Sequence, residues 1–219
     1  MPELTVVLPT INEAGNIGPL IRALRDALPA PGFLVIDGDS KDATRDEAQA
    51  EGATVATNVG GYADSLMQGM REARSEWVLV LDADGSHRAE DARKLWDARD
   101  DADLVVGSRL APGGGSAGNA FRRFLSRMLA GMFATMARLP ARDVSSGFRL
   151  YRRELFADAT ISARFFEVQP ALLAWAKKKG ARVKEIGIHY HPRGKGRSKN
   201  RVFRYGVAFL RQLWRLRGR

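Results

Sequence analysis

The chain has 219 residues, 45% of them hydrophobic, and no cysteine. A chain of this size buries a core and fits a single compact domain, and the lack of cysteine excludes disulfides and thiolate metal sites. Its formal net charge of +10 is unevenly placed, because Glu185 is the last acidic residue and ten Lys or Arg follow between Arg193 and Arg219. A basic terminal segment of this kind indicates an anionic partner, which is phosphate, nucleic acid or a membrane surface.

The first residues, Met1 to Leu8, combine an acidic residue with a short apolar run. They lack the basic, apolar and cleavage regions of a signal peptide. The longest uncharged apolar stretch, 128–137, has ten residues, whereas a membrane-spanning helix needs roughly 20. We therefore expect a cytoplasmic protein without a membrane-spanning helix.

Short apolar runs alternate with segments of helical periodicity through the first half of the chain. The runs predict strands at 4–8, 33–36, 54–57, 77–81 and 104–106. The segments between them predict helices at 16–28, 44–51, 63–74 and 89–98. This alternation predicts an α/β fold, with a doubly wound, mainly parallel sheet and helices on both faces. Ligands bind such sheets outside the carboxyl ends of the strands, which here lead into loops at 9–13, 37–42, 82–87 and 107–118.

The second half of the chain is less regular. It predicts a Met-rich helix at 121–139, a loop at 142–147, a helix at 168–179 and a strand at 183–188. The glycine-rich segment 112–118 predicts a flexible loop, either a substrate lid or a plain connector. We assign residues 1–200 to one domain. Residues 201–219 predict a basic amphipathic helix that either packs on this domain or lies on an anionic membrane face.

Two carboxylates, Asp82 and Asp84, directly follow a predicted buried strand. Residues two positions apart in extended chain project to the same side, and a pair of oxygen donors suits Mg²⁺ or Mn²⁺ carrying a diphosphate. The alternative is that both acids cap the following helix. The acidic loop at 37–42 and the polar loop at 9–13 share this edge and add groups that recognise a ribose or a base. The fingerprints of dinucleotide-binding and P-loop proteins are absent, which argues against NAD and ATP.

Six motifs along the chain carry a family resemblance. Those of the first half are VLPTINE at 7–13, IDGDSKD at 36–42, DADGSH at 82–87 and VGSR at 106–109. Together they resemble the family 2 glycosyltransferases, which have the Rossmann-like GT-A fold. SGFRLYRRE at 146–154 and RGKGRSK at 193–199 look like the later motifs of dolichol-phosphate mannosyltransferases and related polyprenyl-phosphate sugar synthases.

The resemblance implies a role for each matching position. It makes these residues contacts to the nucleotide-sugar: Pro9, Ile11, Glu13, Asp37, Asp82, Ala83, Arg193 and Lys199. It places the metal and the diphosphate at Asp82 and Asp84, with Ser86 as a third contact on the metal side. It assigns catalytic or phosphate-facing roles to Asp84, Arg109, Arg123, Ser126 and Arg149. Two departures, Ile11 for the family's Tyr and Gly38 for the second Asp of its Asp-Asp pair, leave the base open between GDP and UDP.

The resemblance implies a metal-dependent, inverting transfer of mannose or glucose from a nucleotide-sugar to a polyprenyl phosphate, with GDP-mannose favoured and UDP-glucose as the alternative. A phosphate monoester, with a second pKa of roughly 6, is already anionic at neutral pH and needs cations more than a base. A saccharide or small-molecule hydroxyl acceptor would instead need a carboxylate base, for which Glu167 and Asp143 are the candidates.

The basic tail also bears on partners and location. A lipid acceptor and a basic amphipathic segment favour peripheral contact with the inner face of a membrane, or a separate membrane subunit. A nucleic-acid-binding protein is the competing class. That hypothesis explains the charge but lacks a recognisable nucleic-acid-binding module and leaves the carboxylate loops without a role, so we expect no nucleic acid partner.

Overall fold

The computed structural model describes residues 3–116, 135, 138–163 and 167–191. The first part of the described chain alternates strands and helices: β1 Leu4–Thr10, α1 Ile17–Ala27, β2 Gly32–Asp37, α2 Thr44–Ala50, β3 Thr54–Thr57, α3 Tyr62–Glu72, β4 Trp77–Val80, α4 Ala89–Asp97 and β5 Leu104–Ser108. The remainder contains β6 Gly115–Ser116, β7 Arg149–Arg152, α5 Val168–Lys178, β8 Val183–Gly187 and β9 His189–Tyr190. Short 3₁₀ turns occupy Arg99–Asp101 and Arg153–Leu155.

Seven of these strands form one sheet, in the order β3-β2-β1-β4-β7-β5-β8. Strands β1, β2, β3 and β4 are parallel neighbours, and β5 is parallel to β8. Strand β7 lies between β4 and β5 and is antiparallel to both, with Arg149 opposite Val80 and Val106. The N-terminal end of β7 therefore reaches the edge where its parallel neighbours end. Strands β6 and β9 form a separate two-stranded parallel pair.

The sheet is covered by helices on both faces, because successive strand residues point to opposite sides. In β1, Val6 and Leu8 pack into a core with α1 and α4, whereas Val7 packs into a core with α3. The buried residues of α1 recur every three or four positions, as an amphipathic helix requires. Helix α3 approaches β1 closely, since a β-carbon on Gly69 would lie 2.3 Å from a Val7 methyl group.

The structure confirms the predicted α/β sheet and shows where the boundaries differ. All five strands and four helices predicted in the first half are present, and β1 continues to Thr10. The antiparallel strand Arg149–Arg152 was not predicted. Gly115–Ser116, expected in a flexible loop, pair with β9, and the amide of Gly114 donates to Ala111 O at 2.9 Å. Most of the predicted helix at 121–139 and all of 201–219 lie outside the described residues.

None of the helices in the described part of the chain is both long enough and apolar enough to cross a membrane.

Candidate active site

The candidate site residues that the structure describes lie at one edge of the main sheet. This edge is formed by the carboxyl ends of β1, β2, β4 and β5, joined by the loop at 143–148 that leads into antiparallel β7. Parallel strands bring their following loops together at such an edge. Arg123, Ser126, Arg193 and Lys199 lie outside the described residues, so their predicted roles stay predictions.

The backbone amides of the loop after β1 donate hydrogen bonds to side chains of the loop after β2 and of the first turn of α2. Four consecutive N–H groups donate to side chains, from Asn12 to Ser40 Oγ at 2.8 Å, Glu13 to Thr44 Oγ1 at 2.8 Å, Ala14 to Asp42 Oδ2 at 3.3 Å and Gly15 to Glu47 Oε2 at 2.7 Å. A phosphate-binding helix start uses amides of this kind for its ligand. Because these four amides are already bonded to side chains, this loop does not offer them to a phosphate.

The predicted nucleotide contacts on these two loops differ in accessibility. Asp37 is fully buried, and its carboxylate accepts hydrogen bonds from the Ser40 amide, at 2.8 Å, and the Ser40 hydroxyl. Ile11 is 45% exposed and lies over Gly38, where a β-carbon would be 3.4 Å from the Ile11 β-carbon. Val59, which follows β3, is 80% exposed. This end of the edge therefore exposes two apolar side chains and contains a buried carboxylate.

Two further predicted nucleotide contacts, Pro9 and Glu13, lie on either side of Ile11 in the chain. Pro9 is half-buried within β1, where it pairs with Ile36 of β2. Glu13 is half-buried, and its Oε2 accepts a hydrogen bond from Asn16 Nδ2 at 2.9 Å. The first loop thus carries both a rigid backbone segment and a carboxylate at the sheet edge.

The loop after β4 holds the predicted metal site. Asp82 is half-buried, Ala83 and Asp84 are each 2% exposed, and Ser86 is fully buried. Asp84 Oδ1 accepts the Ser86 amide at 3.0 Å. The Ser86 hydroxyl is buried and has no hydrogen-bond partner among the described residues. Two carboxylates and this hydroxyl form a set of hard oxygen donors, which fits Mg²⁺ or Mn²⁺.

A cation at this loop would need further oxygen ligands. No group of three His, Cys, Asp or Glu suited to a metal occurs within the described ranges. Mg²⁺ sites commonly combine one or two carboxylates with substrate phosphates rather than a complete protein cage. The donor set is therefore of the kind that binds a metal together with a diphosphate.

His87 anchors the end of this loop in an aromatic cluster. Its ring lies 4.6 Å from the ring of Phe148 and 5.4 Å, edge-on, from that of Tyr190, measured between centroids. Burial lowers the pKa of His87 to about 4, so the imidazole is neutral at neutral pH. The amide of His191 donates to Ser86 O at 3.0 Å. The predicted metal loop, residues 82–87, is thus held between the approach to β7 and the end of β9.

Asp82 lies beside a polar contact that the sequence did not reveal. Gln169 Nε2, at the start of α5, donates to the phenolic oxygen of Tyr62 at 3.1 Å. Burial, followed by the negative charge of Asp82, raises the pKa of Tyr62 well above its usual value. A β-carbon on Gly147 would lie 2.8 Å from the Tyr62 oxygen and 3.9 Å from Asp82 Oδ1. Only a glycine leaves room for α3, α5 and the 143–148 loop to converge here.

Arg109, at the end of β5, is paired with Asp143. Its Nε and Nη2 donate to the two carboxylate oxygens at 2.8 and 2.7 Å, and its backbone amide adds a bond of 3.0 Å. Burial alone would raise the pKa of Asp143, but the hydrogen bonds and charge of Arg109 outweigh it and hold that pKa below the usual value. Asp143 is fully buried in this pair, which argues against its role as a base for a hydroxyl acceptor.

Arg149 differs from its predicted placement against phosphates. Its side chain is fully buried, with Nη1 donating to Gln169 O at 2.8 Å and Nη2 to Val144 O at 3.2 Å. These bonds tie the 143–148 loop to the start of α5. The physical reason is that β7 enters the sheet between β4 and β5. Its first residue therefore lies inside the fold, where the guanidinium donates to backbone carbonyls.

Comparison with known proteins agrees with this fold and these motifs. The family described as Glycosyl transferase family 2 matches residues 5–159, and the chain belongs to that family. It is a glycosyltransferase with the GT-A fold.

Two relatives and one solved structure show the extent of the similarity. The chain is 34% identical to "Glycosyltransferase AglJ" of Haloferax volcanii, over 91% of this chain and 67% of that protein. It is 31% identical to "Undecaprenyl-phosphate mannosyltransferase" of Micrococcus luteus, over 90% and 87%. Glucosyl-3-phosphoglycerate synthase of Mycobacterium tuberculosis, solved with Mn²⁺, uridine diphosphate and glucosyl-3-phosphoglycerate, matches with a TM-score of 0.78 at 18% identity, over 98% of this chain and 80% of that one. The last likeness concerns the fold alone.

Proposed function

We propose that this glycosyltransferase moves a hexose, with inversion, from a nucleotide-sugar to a polyprenyl phosphate. The observation that carries the proposal is the loop from Asp82 to Ser86, which sets two carboxylates and a buried hydroxyl at the ligand-binding edge of the sheet. The similarity to a relative named undecaprenyl-phosphate mannosyltransferase, across 90% of this chain, supports the lipid-phosphate acceptor.

Asp82, Asp84 and Ser86 would hold the divalent cation, which is Mg²⁺ or Mn²⁺. When bound, such a cation neutralises charge on the nucleoside diphosphate leaving group. The protein contributes a rigid loop, because the amide of Ser86 bonds to Asp84 at 3.0 Å and the ring of His87 packs against Phe148. Rigid placement of oxygen donors lowers the cost of ordering the site when the donor binds.

The base of the donor would lie at the other end of the edge. The exposed side chains of Ile11 and Val59 offer an apolar surface for one face of a base, and burial of a base against such a surface is favourable. Glu13, half-buried nearby, offers a carboxylate to a ribose hydroxyl or a base N–H group. GDP-mannose is the favoured donor and UDP-glucose the alternative.

The acceptor phosphate would attack without a protein base. A phosphate monoester is anionic at neutral pH, and Asp143 is occupied by Arg109 at 2.7 and 2.8 Å. Arg109 is 30% exposed at its side chain and supplies positive charge at the sheet edge. Arg123, Ser126, Arg193 and Lys199 are the further proposed phosphate contacts. Peripheral contact with the inner membrane face, through residues 201–219 or a separate membrane subunit, would bring the lipid to this edge.

The test is transfer of radiolabel from GDP-mannose and UDP-glucose into organic-extractable lipid, using polyprenyl phosphate in detergent micelles with Mg²⁺, Mn²⁺ or EDTA. The expected result is label in lipid from one donor, lost with EDTA. Asp84→Asn should lower the rate at least roughly 100-fold, whereas Asp101→Asn, an exposed acid paired with Lys184, should leave it unchanged. Metal-dependent donor turnover with label only in water-soluble products would refute the lipid acceptor and favour a saccharide or small-molecule acceptor.

A further inference from the structure

Glu185 makes contacts that the site described above does not use. It lies on β8, opposite Val106 of β5. Its two carboxylate oxygens accept consecutive backbone amides of the neighbouring loop, Oε2 from Arg142 at 3.0 Å and Oε1 from Asp143 at 3.0 Å. Hydrogen bonds to a carboxylate are among the strongest that a backbone amide makes. One side chain therefore fixes the backbone at the residue whose own carboxylate holds Arg109.

Asp143 passes this constraint on to Arg109. Its carboxylate engages Nε and Nη2 of the guanidinium side by side, at 2.8 and 2.7 Å, and it also accepts the Arg109 backbone amide at 3.0 Å. A two-pronged pair of this kind fixes the plane of the guanidinium as well as its position. Ser145 Oγ adds an acceptor for Nη2 at 2.7 Å.

The far end of this series of contacts lies at the sheet edge. The guanidinium carbon of Arg109 lies 5.9 Å from the centre of the Tyr190 ring, and Tyr190 contacts His87 of the metal loop. Glu185 itself is on the strand at the outer side of β5 and contacts the backbone at 142–143, where the 143–148 loop of the edge begins. It acts on the edge through Asp143 and Arg109.

We propose that Glu185 is a positioning residue for sugar transfer, which fixes the 142–143 backbone so that Asp143 directs Arg109 at a substrate phosphate. The inference rests on the proposed function, because it assumes that Arg109 serves a phosphate during transfer. Glu185 itself touches no substrate. Loss of its hydrogen bonds to the 142–143 backbone should therefore lower the rate of the chemical step. Donor recognition at the loops after β1 and β2 should stay intact.

Glu185→Gln is the informative change, because the side chain keeps its shape and one acceptor oxygen. The glutamine NH₂ group is a donor, so it cannot accept a hydrogen bond from the backbone N–H group that it faces. One of the two hydrogen bonds is therefore lost, and Asp143 shifts. Misplacement of a substrate-facing group by about 1 Å costs on the order of 100-fold in rate, so a partial shift should lower kcat by roughly tenfold. The KM for the donor should stay within about twofold of the wild-type value, since binding shared by ground and transition states is retained.

A double-mutant comparison separates positioning from general damage. If Glu185 acts through Arg109, then Glu185→Gln should change kcat by less than about twofold when Arg109 is already Gln. The same tenfold loss in both backgrounds would overturn the proposal. Asp101→Asn is the matched control, because it removes an acid that contacts the adjacent β8 residue Lys184 at 2.8 Å.

A second measurement needs neither turnover nor an Arg109 variant. Phenylglyoxal modifies accessible arginines, and peptide mass spectrometry follows its rate at Arg109 in the ligand-free protein. Glu185→Gln should raise that rate several-fold, whereas Asp101→Asn should not. An unchanged rate would overturn the inference. A wild-type chain that transfers no sugar to any acceptor would refute the proposed function instead, and whether Glu185 holds Arg109 would then be decided by the labelling rate.

Discussion

His87 makes the stability of this protein depend on pH in a way that can be calculated. The ring is 6% exposed, packs against Phe148 and Tyr190, and has an Nδ1 without a hydrogen-bond partner among the described residues. Burial lowers its pKa from 6.5 to about 4. A histidine with a depressed folded pKa contributes stability that is complete above the unfolded pKa and is lost as the pH falls toward the folded one. Acidification should therefore destabilise the fold.

The size of the effect follows from the two pKa values. Between about pH 7.5 and about pH 5.0, protonation of His87 in the unfolded state should lower the free energy of unfolding by about 2 kcal/mol. The full loss, reached below about pH 4, corresponds to about 3 kcal/mol for a shift of this size. Aspartates, whose usual pKa is 3.8, titrate mainly below the window, so the comparison at the two higher pH values reports chiefly on histidine.

Urea unfolding at the two pH values, followed by the fluorescence of the four tryptophans, measures this loss. EDTA should be present so that no cation contributes charge beside Asp84. His87→Asn lacks the titrating ring, and its drop in unfolding free energy should be smaller than the wild-type drop by about 2 kcal/mol. His189→Asn, which changes an exposed histidine, should behave as wild type. An equal pH-dependent loss in His87→Asn and wild type would refute the reasoning.

Three further predictions concern close contacts and charge pairing. Gly147→Ala places a methyl group 2.8 Å from the Tyr62 oxygen and should lower the sugar-transfer rate at least roughly tenfold by displacing the metal loop; full activity would contradict this. Asp143→Asn leaves Arg109 without its carboxylate and should cost about 2 kcal/mol in urea unfolding; a loss below the experimental error would count against the pair. Gly69→Ala places a methyl group 2.3 Å from a Val7 methyl group of β1 and should lower the unfolding free energy by about 1–3 kcal/mol. A urea midpoint equal to that of the wild type would contradict this.

Much of the fold could be predicted from periodicity. In β4 the apolar residues run without interruption, and in the predicted run from Leu4 to Leu8 of β1 only Thr5 is polar. Strands buried on both faces have this composition, and the helices between strands carry one apolar side. The position of the Asp82 and Asp84 loop at this edge could also be predicted, because both residues follow directly on a buried strand and parallel topology places such loops at one edge; metal binding there stays a prediction. Local sequence was sufficient wherever the structure depends on neighbours along the chain.

Contacts between segments that are distant along the chain could not be predicted from the sequence. Arg149 reads as a motif residue, and only the antiparallel insertion of β7 between β4 and β5 shows that its guanidinium bonds to backbone carbonyls. Gln169, more than a hundred residues from its partner Tyr62, gave no signal at all. Neither did the contacts of Glu185 with a loop some forty residues away.

The sequence by itself determined the alternation of strands and helices, the edge of the sheet at which the candidate site residues meet and the oxygen-bearing side chains offered there, because each follows from periodicity and residue type over a few positions. Tertiary structure alone decided which charged groups face one another. The pairing of Arg109 with Asp143, 34 residues apart, depends on strand order. Strand order is set by the packing of the whole sheet, which no short segment encodes.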